Sequence, residues 1–191
     1  KWMEYSANEL PVRFSYPMSL YFNVNTSTTG TELIVGSRLV TMVMVNRSQA
    51  EAAGKQYASE MNSEGEPYPS LVSKSQFDAD NKLIQNNKPG DKVKCPDYKT
   101  IIDASLSYSP LQCEIIMIGG LPGLKRYYSP SPSDHDVALE YTVYVNDERI
   151  DILSSPRAKD LNEYFQKEQQ DTDSDLHLAK QIIENIYFTP K

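Results

Sequence analysis

Long apolar runs are missing from this sequence. The longest, Ile115 to Ile118 among them, have the length of a strand and fall far short of the roughly 18 residues a membrane-spanning helix needs. Positive charge is in deficit as well. Lys and Arg number 19 against 26 Asp and Glu, a net charge of -7, and Lys125-Arg126 is the one local basic cluster. Such a field repels nucleic-acid phosphates, which excludes sequence-independent nucleic-acid binding. Cysteine and histidine are scarce at 2 each, and Cys95 and Cys113 fit neither a Cys-x-x-Cys redox motif nor a zinc ligand set. Glycine is sparse too, and no dinucleotide fingerprint, phosphate-binding loop or Gly-x-Ser-x-Gly nucleophile elbow is spelled.

What is present is ordinary for a globular chain: 39% hydrophobic and 24% charged residues over 191 positions, enough for a sizeable core in one domain covering 1–191. The chain opens on Lys1 rather than Met, so we expect an upstream segment to have been removed, with room there for an export signal or anchor. An even cysteine count with no other chemistry nearby favours a Cys95–Cys113 disulfide, worth about 3 kcal/mol. Two buried thiols or a nucleophile are the alternatives. A disulfide would place the protein outside the cytoplasm.

The first 24 residues alternate aromatic and polar side chains and are cut by Pro11 and Pro17, reading as short extended pieces with turns between them and with Phe14 and Tyr16 on one face. A polar turn, "NTSTTGTE", leads to "LIVGSRLVTMVMVNR", residues 33–47, which reads as two strands breaking near Gly36-Ser37. Ser48 and Glu51 form a capping box before an apolar stripe at Ala50, Ala53, Tyr57 and Met61, predicting a helix. Residues 62–110 are polar and proline-punctuated. They read as an elaborated irregular region with short pieces at "LVSKSQF" and "KTIIDASL".

"IIMIGGLPGLKRYY", residues 115–128, could cradle a phosphate or merely reverse the chain. A cradle needs a helix after the glycines, and the residues beyond Gly123 are strand-like and proline-rich. We therefore expect a hairpin with strands Cys113 to Ile118 and Leu124 to Ser129, turning through Gly-Gly-Leu-Pro-Gly. "VALEYTVYVNDERIDIL" is a second hairpin, and its two-residue Asn146-Asp147 turn sets the register. Val143 then faces Ile150 and Tyr141 faces Ile152, while Tyr144 meets Arg149 and Thr142 meets Asp151 on the other side. A helix is expected over Lys159 to Lys167. A stronger one comes after a Thr172/Asp175 capping box, with Leu176, Ala179, Ile182, Ile183 and Ile186 in one stripe and Thr189-Pro190 at its end. Strand runs joined by hairpins, with helices between and after them, make an α+β fold whose central antiparallel sheet carries helices.

Candidate sites are few. Asp171, Asp173 and Asp175 alternate as in a calcium loop, but Leu176 and Ile182 stand where such a loop wants Gly and Glu, so helix-terminal carboxylates are the simpler reading. His135 has acids on both sides, as a catalytic base would, yet no positioned nucleophile accompanies it; a solvated loop histidine is the simpler reading. His177 has less to recommend it. Tyrosine is abundant at 13, and an outward-facing subset with Tyr127, Tyr128, Tyr144 and Arg149 would make a binding surface. Asn25-Thr26-Ser27 and Asn46-Arg47-Ser48 match the glycosylation pattern.

The order of elements, from "FSYPMSLYF" through "IIMIGGLPGLKRYY" and "ALEYTVYVNDERIDIL" to "LAKQIIENIYF", resembles the PsbP-like family. The resemblance implies an α-β-α arrangement around an antiparallel sheet. Plant members of that family are extrinsic lumenal subunits assisting the water-oxidising photosystem, and bacterial relatives are commonly exported lipoproteins. The family motif contains no catalytic residues and implies no cofactor. The expected function is therefore a non-enzymatic extracytoplasmic module, anchored upstream if at all, that binds a protein or cell-envelope component. A hydrolase using His135 and a calcium module are the alternatives.

Overall fold

The computed structural model describes residues 1–6, 11–27, 30–36, 39–51, 74–96, 110–128, 137–154, 156–170 and 174–189. It is a mixed α and β chain with two antiparallel sheets. The large sheet holds β3 (Phe22–Ser27), β4 (Gly30–Val35), β5 (Val40–Asn46), β6 (Lys92–Val93), β7 (Pro110–Ile118), β8 (Leu121–Tyr128), β9 (Ala138–Val145) and β10 (Glu148–Ser154). Their spatial order is β3-β4-β5-β10-β9-β8-β7-β6, and every pairing within it is antiparallel. A small sheet sets β2 (Val12–Pro17) between β1 (Trp2–Ser6) and β11 (Tyr187–Phe188).

Turn chemistry explains the hairpins. Asn146 and Asp147 take φ of 50° and 64°, the left-handed conformation that a two-residue turn demands, and Arg149 pairs with Tyr144, Ile150 with Val143 and Asp151 with Thr142. That is the register the sequence predicts. Gly119 and Gly120 make the same kind of turn, with φ of 55° and 83°, but it is shorter than expected. Leu121, Pro122 and Gly123 already belong to β8, opposite Ile118, Met117 and Ile116. Pro122 is tolerated because β9 pairing begins only at Gly123, opposite Val143. Gly123 has a packing role instead, since a Cβ there would lie 2.7 Å from Val143 Cγ1.

The helices depart further from expectation. Helix α1 begins at residues 47–51, and its cap is Asn46 rather than Ser48: the Gln49 amide donates to Asn46 Oδ1 at 2.8 Å, and the Asn46 amide donates to Gln49 Oε1 at 3.0 Å. This Asn-x-x-Gln box lies two residues earlier than the predicted one. Its onward stripe at Ala53, Tyr57 and Met61 falls outside the described residues, as does "KTIIDASL". The region expected to be irregular contains a 13-residue helix, α2 (Lys74–Asn86), and the short β6. Helix α3 (Leu161–Gln170) starts two residues later than predicted and runs further, because Asp160 caps it by accepting the Glu163 amide at 2.8 Å. Helix α4 (Ser174–Glu184) stops short of Thr189, and the chain then forms β11. Among the described residues no helix is long and apolar enough to cross a membrane.

The core obeys strand alternation. Leu33, Val35, Met42, Val143, Ile150 and Ile152 point to one side, where they cluster with Leu176, Ala179, Ile182, Ile183 and Ile186, the predicted helical stripe. Each such large side chain removed from water contributes about 1.5–3 kcal/mol. Phe14 and Tyr16 join this cluster from the small sheet, with Tyr5 stacked on Phe14 at 5.0 Å between ring centres. Side chains of the opposite parity pack with α1 and α2: Val45 with Ala50 and Phe77, and Cys113, Ile115 and Leu124 with Ile84. Cys95 and Cys113 form a disulfide there, joining β7 to the segment after β6, and no described cysteine is free.

Candidate functional site

Strand alternation also decides what the predicted binding surface becomes. Tyr127 points to the α4 side of β8 with 2% of its surface exposed, whereas Arg149 is wholly buried on the other side. Tyr144 is half-buried and its hydroxyl donates to the Phe77 carbonyl at 2.6 Å, while that of Tyr128 donates to Glu140 Oε2 at 2.5 Å. The four residues therefore form no common surface. Asp175 is exposed in the first turn of α4, 4.0 Å from Arg157, whereas Asp171, Asp173, Thr172 and His135 lie outside the described residues. No group of three or more His, Cys, Asp or Glu side chains among the described residues is placed so that it could hold a metal ion. His177 is half-buried on α4.

Beneath α2 the sheet holds a buried ionic cluster. The registers that set Arg126 opposite Glu140, Thr142 opposite Asp151 and Tyr144 opposite Arg149 bring all six to one face. Asp80, fully buried, descends from α2 and binds both guanidiniums, Arg149 Nη1 at 2.5 Å and Arg126 Nη2. Arg149 Nε reaches Asp151 Oδ2 at 2.7 Å, and Arg126 Nη1 donates to Thr142 Oγ1 at 2.8 Å. Burial alone would lower the pKa of Arg149, but Asp151 and Asp80 outweigh it and hold the guanidinium charged. Two cations face three acids, and the surplus falls on Glu140, whose pKa is raised by burial against the pull of Arg126. Both arginines and Asp80 are wholly buried, and the ion pairs between them seat α2 on the sheet.

The other face carries an open site. Between the β7–β9 strands and helices α3 and α4 lies a pocket of about 280 Å³. Ile116, Ile118 and Leu139 wall it from the sheet, and Leu176 and Ile183 wall it from α4. Lys125 reaches into it with 9% of its surface exposed. The ammonium lies over three tyrosine rings, at 4.7 Å from the centre of Tyr127, 5.5 Å from Tyr141 and 6.0 Å from Tyr164. Such contacts favour the cation. Burial opposes them and lowers the lysine's pKa, an effect that Glu168 and Glu114 partly offset.

Hydrogen bonding around this lysine is incomplete. Tyr127 donates to Glu114 Oε1 at 3.0 Å and Tyr164 to Glu168 Oε1 at 3.1 Å, so both carboxylates already have donors. The nearest carboxylate oxygen, of Glu114, is 3.9 Å from Lys125 Nζ, beyond hydrogen-bonding distance. Among the described residues the ammonium has no acceptor. Burial raises the phenols of Tyr127, Tyr141 and Tyr164 well above their ordinary value, so all three remain neutral donors. The sequence offered a weak signal for this site: Lys125, Tyr127 and Tyr141 share one face of adjacent strands, but a lysine in a strand reads as solvated until α3 and α4 close over it.

No known protein-family profile and no curated protein matches the chain. Among solved structures, the solution structure of PsbP from the cyanobacterium Synechocystis sp. PCC 6803 aligns over 98% of this chain and 92% of that one, with a TM-score of 0.47 and 10% identity. It bears the name of the family that the sequence resembles. At that distance no residue role or activity transfers.

Proposed function

We propose that the protein is a non-enzymatic extracytoplasmic binding module, one α-β-α domain of PsbP-like type, that takes a small apolar ligand into the pocket beside Lys125. The observation that supports this reading is the lysine itself. A lysine nine-tenths buried, whose ammonium lies over three tyrosine rings and has no acceptor within hydrogen-bonding distance among the described residues, turns its N–H donors toward the pocket, where a ligand oxygen would accept from them. Apolar walls with a few convergent polar groups are the ordinary make-up of small-molecule sites. The disulfide supports an oxidising compartment, so the occupant would come from the cell envelope or from a protein partner there.

The test is a titration with N-phenyl-1-naphthylamine, a neutral fluorescent apolar probe. One saturable site is expected, weakened at least about tenfold, or 1.4 kcal/mol, by Lys180→Trp, which crowds the exposed rim without touching the core. Absence of saturable binding, or binding indifferent to that substitution, would overturn the reading.

A further inference from the structure

We propose that the occupant is a small aldehyde with an apolar body, held by Lys125 as a reversible imine. This rests on the binding role just proposed and names its ligand class. Charge narrows that class first. Lys125 and Lys180 line the pocket against Glu168 and Glu184, with Glu114 behind Lys125. Acids are in the majority, so a carboxylate ligand would meet no net attraction, while a neutral carbonyl would meet no penalty. Its oxygen would accept from the lysine, which reaches no acceptor among the described residues. Tyr141 lines the same cavity, and its hydroxyl remains protonated and makes no hydrogen bond among the described residues. It is a second donor for the same oxygen. The volume, that of about nine water molecules at ~30 Å³ each, suits a short alkyl or single-ring body against Ile116, Ile118, Leu139, Leu176 and Ile183.

The chemistry depends on the state of the amine. Burial lowers the lysine's pKa and so enlarges the fraction of free amine, the nucleophilic form. The nitrogen lone pair attacks the carbonyl carbon, a C–N bond forms and the oxygen takes up a proton. Loss of that oxygen as water leaves a C=N bond. Taken from ammonium to protonated imine, the charge is unchanged, water is the sole by-product and nothing is oxidised or reduced. The tyrosine rings that favour the ammonium favour the protonated imine for the same reason, since both are cations at the same place.

Hexanal is the probe. The intact protein is incubated with it near neutral pH and treated with borohydride, which fixes an imine as a secondary amine, and each lysine peptide is then quantified by mass spectrometry. Lys125 should carry at least about tenfold more hexyl adduct than the rim residue Lys180. Saturating N-phenyl-1-naphthylamine, or the Lys180→Trp substitution, should suppress labelling of Lys125 and leave exposed lysines unaffected. Labelling of Lys125 no greater than that of exposed lysines overturns the imine. If the naphthylamine still binds in that case, the binding role stands without it; if the naphthylamine does not bind, the binding role is what has failed.

Discussion

At the scale of single residues, Glu140 is the informative one. Its carboxylate, with 12% of the side chain exposed, is the acid in excess of the two buried arginines. The folded state holds its proton more tightly than the unfolded chain does, because burial raises its pKa above the ordinary 4.5. Its contribution to stability is therefore full below that value and is lost as pH rises through the higher folded one, at up to about 1.4 kcal/mol per pH unit. Glu140→Gln, which keeps the neutral form at every pH, should remove this slope. Melting temperatures of both proteins across that window would decide it, and parallel curves would show that Glu140 is ionised in the fold. Gly123 and Gly120 form a second contrast. A methyl at Gly123 would meet Val143 Cγ1 at 2.7 Å and the Thr142 carbonyl oxygen at 2.9 Å, so Gly123→Ala should cost about 1–3 kcal/mol in urea denaturation. Gly120→Asn, in open space at φ of 83°, should cost less than about 1 kcal/mol.

At the scale of elements, α2 shows what sequence patterning conveys and what it hides. Its inward positions are Phe77, Asp80 and Ile84, spaced as an apolar stripe should be, but the middle one is an aspartate. That one charge, in a helix rich in Asn, Gln and Lys, makes the segment read as a polar crossing. The two arginines that neutralise it, Arg126 and Arg149, arrive from strands far along the chain, so no local window contains the compensation. Asp80→Ala should cost about 3–5 kcal/mol by leaving two buried guanidiniums short of an anion. Phe77→Ala should cost a similar amount through its cavity, and chemical denaturation would measure both. Reducing the Cys95–Cys113 bond should lower stability by about 3 kcal/mol. The hairpins, by contrast, were readable to the residue at Asn146-Asp147, because a two-residue turn and strict alternation leave one register that buries Val143, Ile150 and Ile152.

At the scale of the whole molecule, the α4 stripe and the alternation of β9 and β10 carry the core, and both are local patterns. The pocket is not local. Its polar end combines Lys125 from β8, Tyr141 from β9 and Tyr164 from α3, which meet only when a helix lies over a sheet. The small sheet ties the molecule together differently, since β2 accepts the start of the chain on one side and its last strand on the other. Trp2 enters beside Pro17 and Phe188 leaves beside Val12, at opposite ends of the same strand. Tension applied between these tails would load the five β1–β2 rungs and the two β2–β11 rungs in shear instead of peeling them apart singly. The weaker, two-rung side would yield first, and since β11 follows directly on α4, whose residues wall the Lys125 pocket, a pull on the far tail would be felt there as soon as that side gave way.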